Sequence, residues 1–424
     1  MKTLLTNFHV VDEALSENAA AVLVEDGLIR AVISTHDHAA LEAARDAARV
    51  IDGGGLTLMP AFVDLHAHFR DPGFPDKETL ESASLAAVAG GYTTLVCMAN
   101  TKPPLDTREA TDALKLRSDA LGLIDLYPAL ALTEGMAGTA LAPALLSPAP
   151  QSVRLLSEDG RDVTDDALFR AAFQAARRMG IPVSCHCDAG GEAAARAKLA
   201  GEPRSVWSRI EENVATSRAL RLGRQAGAHV HIAHVSTQEA LELVREAKRA
   251  GHAPLTCEAT PHHLCLTERD ADTLGAESFG RVNPPLRTER DRQALIAGLA
   301  DGSIDAIATD HAPHTQADKA GGAPGFTGLE TSFAACFTEL VCTGRISLSR
   351  LSALMSASPA RILGLHDRGR IAAGLRADLV AIGPAWTVDG ATLKSRGKNT
   401  PFHGRALSGR VVMTLRQGCV VFDA

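Results

Sequence analysis

Leu58-Met59-Pro60-Ala61-Phe62-Val63-Asp64-Leu65-His66-Ala67-His68 runs from an apolar stretch into two histidines one residue apart. Alternate residues of a strand face the same way, so both imidazoles can meet one metal ion. Alone, such a pair is weak evidence, because histidines are also ordinary core and surface residues. It gains weight from later segments that put His or Asp where an apolar run ends in a polar turn, the pattern of a metallohydrolase assembled across one large scaffold.

Outward from this stretch, apolar or β-branched runs recur at about 61–66, 93–98, 124–130, 153–156, 181–186, 229–233, 253–257 and 305–309. Between them, 77–89, 106–120, 165–179, 211–226, 237–250, 289–300 and 328–343 have helical composition. Alternation of this kind predicts parallel strands joined by crossover helices, and eight units predict a closed (β/α)8 TIM-like barrel of class α/β. A doubly wound sheet would scatter the polar strand ends along an edge. A barrel gathers them at its C-terminal mouth.

The flanks read differently. Glu25-Asp26-Gly27 sits between two short strands over 20–34 and predicts a hairpin. Strand and turn patterns return at Gly369-Arg370-Ile371, Gly374 to Val380, Gly409 to Val412 and Gly418 to Val420. The expected organisation is a small β-sandwich domain from residues 1–55 plus 370–424 and a catalytic barrel from 56–369.

With 424 residues, 46% of them hydrophobic, the chain can bury a large core. A net charge of -7 without any Lys/Arg stripe gives no support to nucleic-acid binding. No leader pattern and no run of apolar residues long enough for a membrane span is present, so a cytoplasmic location is expected. The 8 cysteines, spread without repeated spacing, do not form a disulfide framework.

Six ligand candidates fall at barrel positions: His66 and His68 after the first strand, Asp159 after the fourth, His186 ending the fifth, His234 after the sixth and Asp310 after the eighth. Imidazoles with carboxylates suit zinc, whereas calcium would recruit oxygen almost throughout. Two zinc ions per subunit are expected, bridged by Asp159 and a water or hydroxide. His66, His68 and Asp310 stand on one side, His186 and His234 on the other. Cys185 and Cys187 flank His186 but point away from it in a strand. His229, His231, His262 and His263 are not assigned as ligands.

The chain resembles the class I dihydroorotases of the cyclic amidohydrolase superfamily. The resemblance lies in Asp64-Leu65-His66-Ala67-His68-Phe69-Arg70-Asp71-Pro72-Gly73, Met98-Ala99-Asn100-Thr101, Asp310-His311-Ala312-Pro313-His314 and Asn399-Thr400-Pro401-Phe402. It implies reversible cyclisation of N-carbamoyl-L-aspartate to L-dihydroorotate, the third step of pyrimidine synthesis. The family's fourth-strand ligand is an aspartate immediately before a glycine, which favours Asp159. Glu158 beside it leaves open which carboxylate reaches the metals, and Ala99 stands where proline is more usual.

Arg70, two residues past His68, can share the mouth of the barrel and offers a planar fork to a carboxylate. Asn100, ending the second strand, can hydrogen-bond the same group. The resemblance adds His314 to this clamp and gives Asn283 a role at the ring. The glycine-rich segment through Gly325 and Phe326 lets backbone approach the planar ureide edge. Asp310 is expected to be the general base and acid. A homodimer and a complex with aspartate transcarbamoylase are the expected partners beyond the small-molecule substrate. The alternatives are a hydantoinase, dihydropyrimidinase or allantoinase, and a catalytically silent scaffold; Arg70 argues against the former and the retained ligands against the latter.

Overall fold

Every residue of Phe62–Ala67 is buried, as a barrel strand covered on both faces requires. The computed structural model describes residues 2–34, 36–45, 49–189, 191–252 and 254–424, with the backbone alone at 17–19. Phe62–Ala67 pairs in parallel with Tyr92–Cys97, and that strand with Asp125–Pro128. A second parallel set runs Leu156–Ser157, Val183–Cys185, Val230–Ile232, Leu255–Ala259 and Ala306–Ile307. Two parallel bridges, Leu130 with Leu156 and Ala67 with His311, join the sets at both seams. The sheet therefore closes into an eight-stranded parallel barrel.

Period-two alternation sets its packing. In Tyr92–Cys97, Leu95 and Cys97 join the large cluster that includes Ala87, Phe173 and Leu241 from the surrounding helices. Val96 belongs instead with Val63, Leu65, Ala306 and Ala360. The crossover helices start on side-chain caps: Thr107, Asp165, Thr237 and Thr288 each accept a bond from a first-turn amide, relieving an otherwise unpaired donor.

The crossover helices follow the compositional expectation closely, but short helices such as Pro261–Cys265, Glu268–Leu274 and Gln316–Ala320 were not marked by it, and other segments differ as well. The helix expected from 211 starts at Arg204. Gly191–Leu199 forms a helix that no periodic signal marked. The segment 328–343 divides into Ser332–Cys336 and a π-helical turn, Phe337–Val341. Residue 253, the expected start of the seventh strand, lies outside the described residues.

Outside the barrel, one eight-stranded sheet takes strands from both chain ends. Lys2–Val11 pairs with Ser16–Glu25, which pairs with Leu28–Ser34 across the Asp26-Gly27 turn. On the other side Leu379–Ile382 pairs with Val411–Arg416, and that strand with Cys419–Asp423. Thr57–Pro60 links the halves, pairing with His9–Val10 and with Leu379–Ile382. The sheet thus reaches past residue 56 before the chain enters the barrel. Phe8, Val22, Ile29, Leu58, Leu379 and Leu415 close a sandwich-like core of their own.

Candidate metal centre and active site

Asp159 lies beneath four imidazoles. Its Oδ1 is 3.1 Å from His66 Nε2, 3.2 Å from His186 Nδ1 and 4.0 Å from His234 Nε2, and its Oδ2 is 3.5 Å from His68 Nε2. Asp310 Oδ1 approaches the same group, 3.2 Å from His68 Nε2 and 3.6 Å from His66 Nε2. His186 Nδ1 and His234 Nε2 are 2.8 Å apart. All six residues predicted as ligands converge, and all are buried.

Five of them form two overlapping groups with metal-ligand spacing, His66 with His68 and Asp310, and His66 with Asp159 and His234, and His186 adjoins the second through Asp159 and His234. One detail shows that a cation fits between them. His66 Nδ1 lies 3.1 Å from Glu258 Oε1, a contact that places the ring proton on that side. The remaining lone pair on Nε2 faces Asp159 Oδ1, and neither buried atom has a hydrogen-bond partner. Two acceptors buried face to face repel unless a positive charge sits between them; burial opposes protonation of His66, but the Asp159 carboxylate outweighs it and holds the imidazole well above its ordinary value, so the place is one for a proton or for a metal ion that displaces it. Neutral imidazoles and two carboxylates are the donor chemistry of a binuclear centre of the zinc type.

The carboxylate question at Asp159 is answered by where Glu158 turns. Its oxygens accept from Leu132 N at 2.8 Å, from Thr133 N at 3.1 Å and from the Thr133 hydroxyl, on the side of the preceding strand's loop. Gly160 completes this arrangement: its backbone has φ +80°, and a Cβ there would lie 3.2 Å from Asn100 Nδ2. Three residues of the site carry backbone strain. Arg70, His234 and Asp310 all adopt positive φ, at 57°, 30° and 46°, a conformation that costs a non-glycine residue about 1–3 kcal/mol.

Charge follows burial and neighbours. Burial opposes ionisation of Asp159, but the His66 and His186 imidazoles outweigh it and hold the carboxyl well below its usual range. Asp310 is likewise held low, burial again being overcome by the His68 hydrogen bond and the nearby imidazoles. Burial, together with His186 and His66, pushes His234 down to about 3, so it is neutral and its lone pair is available.

Residues assigned to substrate divide into two sets. Arg70 and His314 lie side by side, with an Arg70 Nη2 to His314 Nε2 distance of 3.3 Å, and Arg70 Nε donates to Pro313 O. His314 Nε2 is closer to Pro324 O, at 2.9 Å, and its Nδ1 is buried without a partner. Asn100 is engaged with the metal ligands: Oδ1 is 3.1 Å from His68 Nδ1, and Nδ2 donates to Asp159 Oδ2 at 3.2 Å. The Asn283 amide lies 3.3 Å from His186 Nε2. Gly325 differs from the expectation of a backbone open to ligand. Its N–H donates to Arg281 O, and its carbonyl accepts from both Lys319 Nζ and Asn399 Nδ2, so what it leaves at the site is space. Phe326 packs edge-on against the His262 ring.

Several supporting groups escaped the sequence reading. Glu258 bridges His66 Nδ1 and His231 Nε2, the latter at 3.0 Å, and so orients a ligand through a buried carboxylate. Asp188 Oδ2 lies 3.1 Å from the outer nitrogen of His186. Asp64 accepts from the N–H and hydroxyl of Thr309 and so ties the first strand to the eighth beside Asp310. A carboxylate within the otherwise uncharged run Leu255–Ala259 is unusual, but its partner could not be read from it. Cys185 and Cys187 pack in the large core cluster, away from the metals.

Residues 57–421 match the Amidohydrolase family. A dihydroorotase of Thermus aquaticus is 42% identical over 437 aligned residues, covering 99% of each chain. A dihydroorotase of Clostridium botulinum is 38% identical over 424 residues, covering 100% of each. The chain belongs to the class I dihydroorotases. Within the wider amidohydrolase family, the solved structure of an L-hydantoinase (dihydropyrimidinase) from Arthrobacter aurescens superposes on this dihydroorotase family member with a TM-score of 0.84. It is 27% identical and covers 99% of this chain and 96% of that one. A dihydropyrimidinase from Brevibacillus agri, 22% identical with a TM-score of 0.83, shares the fold. No helix among the described residues is long and apolar enough to cross a membrane.

Proposed function

We infer that this protein is a metal-dependent dihydroorotase that interconverts N-carbamoyl-L-aspartate and L-dihydroorotate in pyrimidine synthesis. The observation that carries the specificity is the Arg70–His314 pair on the loops beside the Asp159 and Asp310 carboxylates. A ring amide without a carboxylate needs no such cation, whereas dihydroorotate carries one next to its reacting ring.

We propose zinc as the metal: His66, His68 and Asp310 would hold one ion and His186 and His234 the other, with Asp159 available to both. When bound, the metals acidify water and polarise the ring carbonyl. Asp310 takes a proton from the attacking water as the new C–O bond forms. It returns that proton to the ring nitrogen as the C–N bond breaks, opening the ring. In the reverse direction Asp310 accepts the ureido N–H proton while nitrogen attacks the carbon of the protonated side-chain carboxyl group, and it passes that proton to the departing hydroxyl, which leaves as water. Arg70 and His314 hold the substrate carboxylate, with Asn100 beside them fixing His68 and Asp159. Asn283, Gly325 and Phe326 border the ring. Glu258 and Asp188 keep two ligand imidazoles oriented.

The proposal extends to organisation: a β-sandwich domain of residues 1–55 and 370–424, a barrel domain of 56–369 with Thr57–Pro60 at the junction, a homodimer in the cytoplasm, and association with aspartate transcarbamoylase. The deciding experiment assays purified, zinc-loaded protein in both reaction directions beside hydantoin and allantoin. Turnover of dihydroorotate and carbamoyl aspartate well above the other two supports the reading. Preference for hydantoin or allantoin overturns it.

A further inference from the structure

The Asn399-Thr400-Pro401-Phe402 motif comes from the chain's last fifty residues, yet it reaches the barrel mouth, and the mechanism above does not use it. Asn399 spends its whole side chain there. Its Oδ1 accepts from His314 N at 3.0 Å. Its Nδ2 donates to Ala312 O and to Gly325 O, each at 3.0 Å. Its own carbonyl accepts from Thr327 N at 3.2 Å. One amide therefore spans the turn that carries His314 and the turn that carries Gly325 and Phe326.

The approach is too close to be a chance surface contact. A Cβ on Gly397 would lie 2.7 Å from Pro313 Cβ and 2.9 Å from His314 N, so only glycine lets this segment pack against the His314 turn. The other ties between the turns differ in kind. Ala312 N donates to Phe326 O at 2.7 Å and joins their roots. Nearer the tips, the other contact is His314 Nε2 with Pro324 O, and that imidazole is needed for the ligand. Lys319, which donates to Arg281 O, Ala323 O and Gly325 O, fixes the Gly325 turn independently of Asn399.

We propose that Asn399 is a positioning residue that sets the width of the substrate gap, holding the His314 turn to the Gly325–Phe326 turn through the backbone so that the His314 ring is released to the substrate. This rests on the dihydroorotase reading above. Without Asn399, each turn keeps its own shape and the spacing between them is lost. Binding then suffers, while Asp310 and the metal ligands, which Asn399 does not touch, continue to perform the chemistry.

The test compares zinc-loaded wild type with Asn399→Ala and Asn399→Asp; the aspartate keeps the acceptor for His314 N but opposes two carbonyls with an oxygen. Orotate, a planar non-hydrolysable analogue, is titrated by calorimetry, and KM and kcat for dihydroorotate are measured per zinc-loaded subunit. The expected result is a rise in orotate Kd and in KM of at least about tenfold with kcat within about threefold of wild type, the size expected when the displaced turn costs the ligand one to two hydrogen bonds that count equally in ground and transition states. If one variant does not fold, the other decides. Kd and KM matching wild type in a folded variant, or a fall in kcat at constant KM, overturns the proposal. Wild-type protein that neither binds orotate nor turns over dihydroorotate overturns the dihydroorotase reading and this inference together.

Discussion

Glu258 Oε1 lies 3.1 Å from His66 Nδ1, and this contact determines which nitrogen of His66 faces Asp159. Glu258 is itself fully buried, shared with His231, and held down to about 2 because those two histidines outweigh the penalty of burial. A ligand to a positively charged ion is thereby backed by a fixed negative charge, which strengthens its donation.

Replacing that charge while preserving shape tests the relationship. Glu258→Gln is expected to weaken zinc binding by about 10- to 100-fold, the usual cost of losing an outer-shell partner. Competition with a chromophoric chelator measures it. Zinc affinity equal to wild type would reduce Glu258 to a packing role.

Asp159→Ala removes the carboxylate shared by all four imidazoles, so after controlled zinc loading the variant should hold substantially less metal than wild type. Asp272→Ala, a change on the helix Glu268–Leu274, is the control and should load normally. Metal analysis that finds equal zinc in both variants would rule out a bridging Asp159.

Asp310→Asn keeps an oxygen for the metal but removes the proton carrier. Turnover should fall by at least about 100-fold, as for loss of a general acid or base, with zinc content and circular dichroism preserved. Near-normal kcat in zinc-loaded protein would assign the proton transfer elsewhere.

Arg70→Ala should lower kcat/KM for dihydroorotate by at least about 30-fold, since removing one partner of a charge-assisted contact in a desolvated pocket costs about 2 kcal/mol or more. Dihydrouracil, which has no carboxylate, should lose far less. Equal losses on both substrates would mean that Arg70 supports the loop or the metals instead.

His263 supplies a pH prediction. It is fully enclosed between the Thr260 hydroxyl and Pro284 O, and burial pushes it down to about 4 from an ordinary 6.5. The unfolded chain therefore binds a proton that the folded chain refuses between these values, and stability is lost as pH falls through that window. The contribution approaches about 1.4 kcal/mol per pH unit. Urea unfolding at pH 7 and pH 5 should show a smaller loss for His263→Gln than for wild type. An identical pH dependence would remove His263 as a source of acid sensitivity.

The alternation of apolar runs with helical segments located all eight barrel strands, and His66, His68, Asp159, His186, His234 and Asp310 could be picked out because each sits where such a run ends. Those signals are local: strand period, turn chemistry and donor type are properties of neighbouring residues. The Asp26-Gly27 hairpin was legible for the same reason. Glu258 was not, because what makes it a partner of His66 is closure of the barrel, which brings the side chains of two unpaired strands together, rather than anything in Thr256-Cys257-Glu258-Ala259 itself. The choice between Glu158 and Asp159 was equally nonlocal, resting on the backbone amides of Leu132 and Thr133 that claim the glutamate. Asn399 stood out as part of a motif, but its task depends on the distant turns at Ala312–His314 and Gly325 that closure of the barrel brings within reach. Sequence alone therefore determined the succession of strands and the candidate donors, which follow from short-range periodicity and side-chain chemistry. Tertiary structure decided which buried carboxylates face metal and which hold the scaffold, because hydrogen-bond satisfaction inside a low-dielectric interior is settled only when remote segments meet.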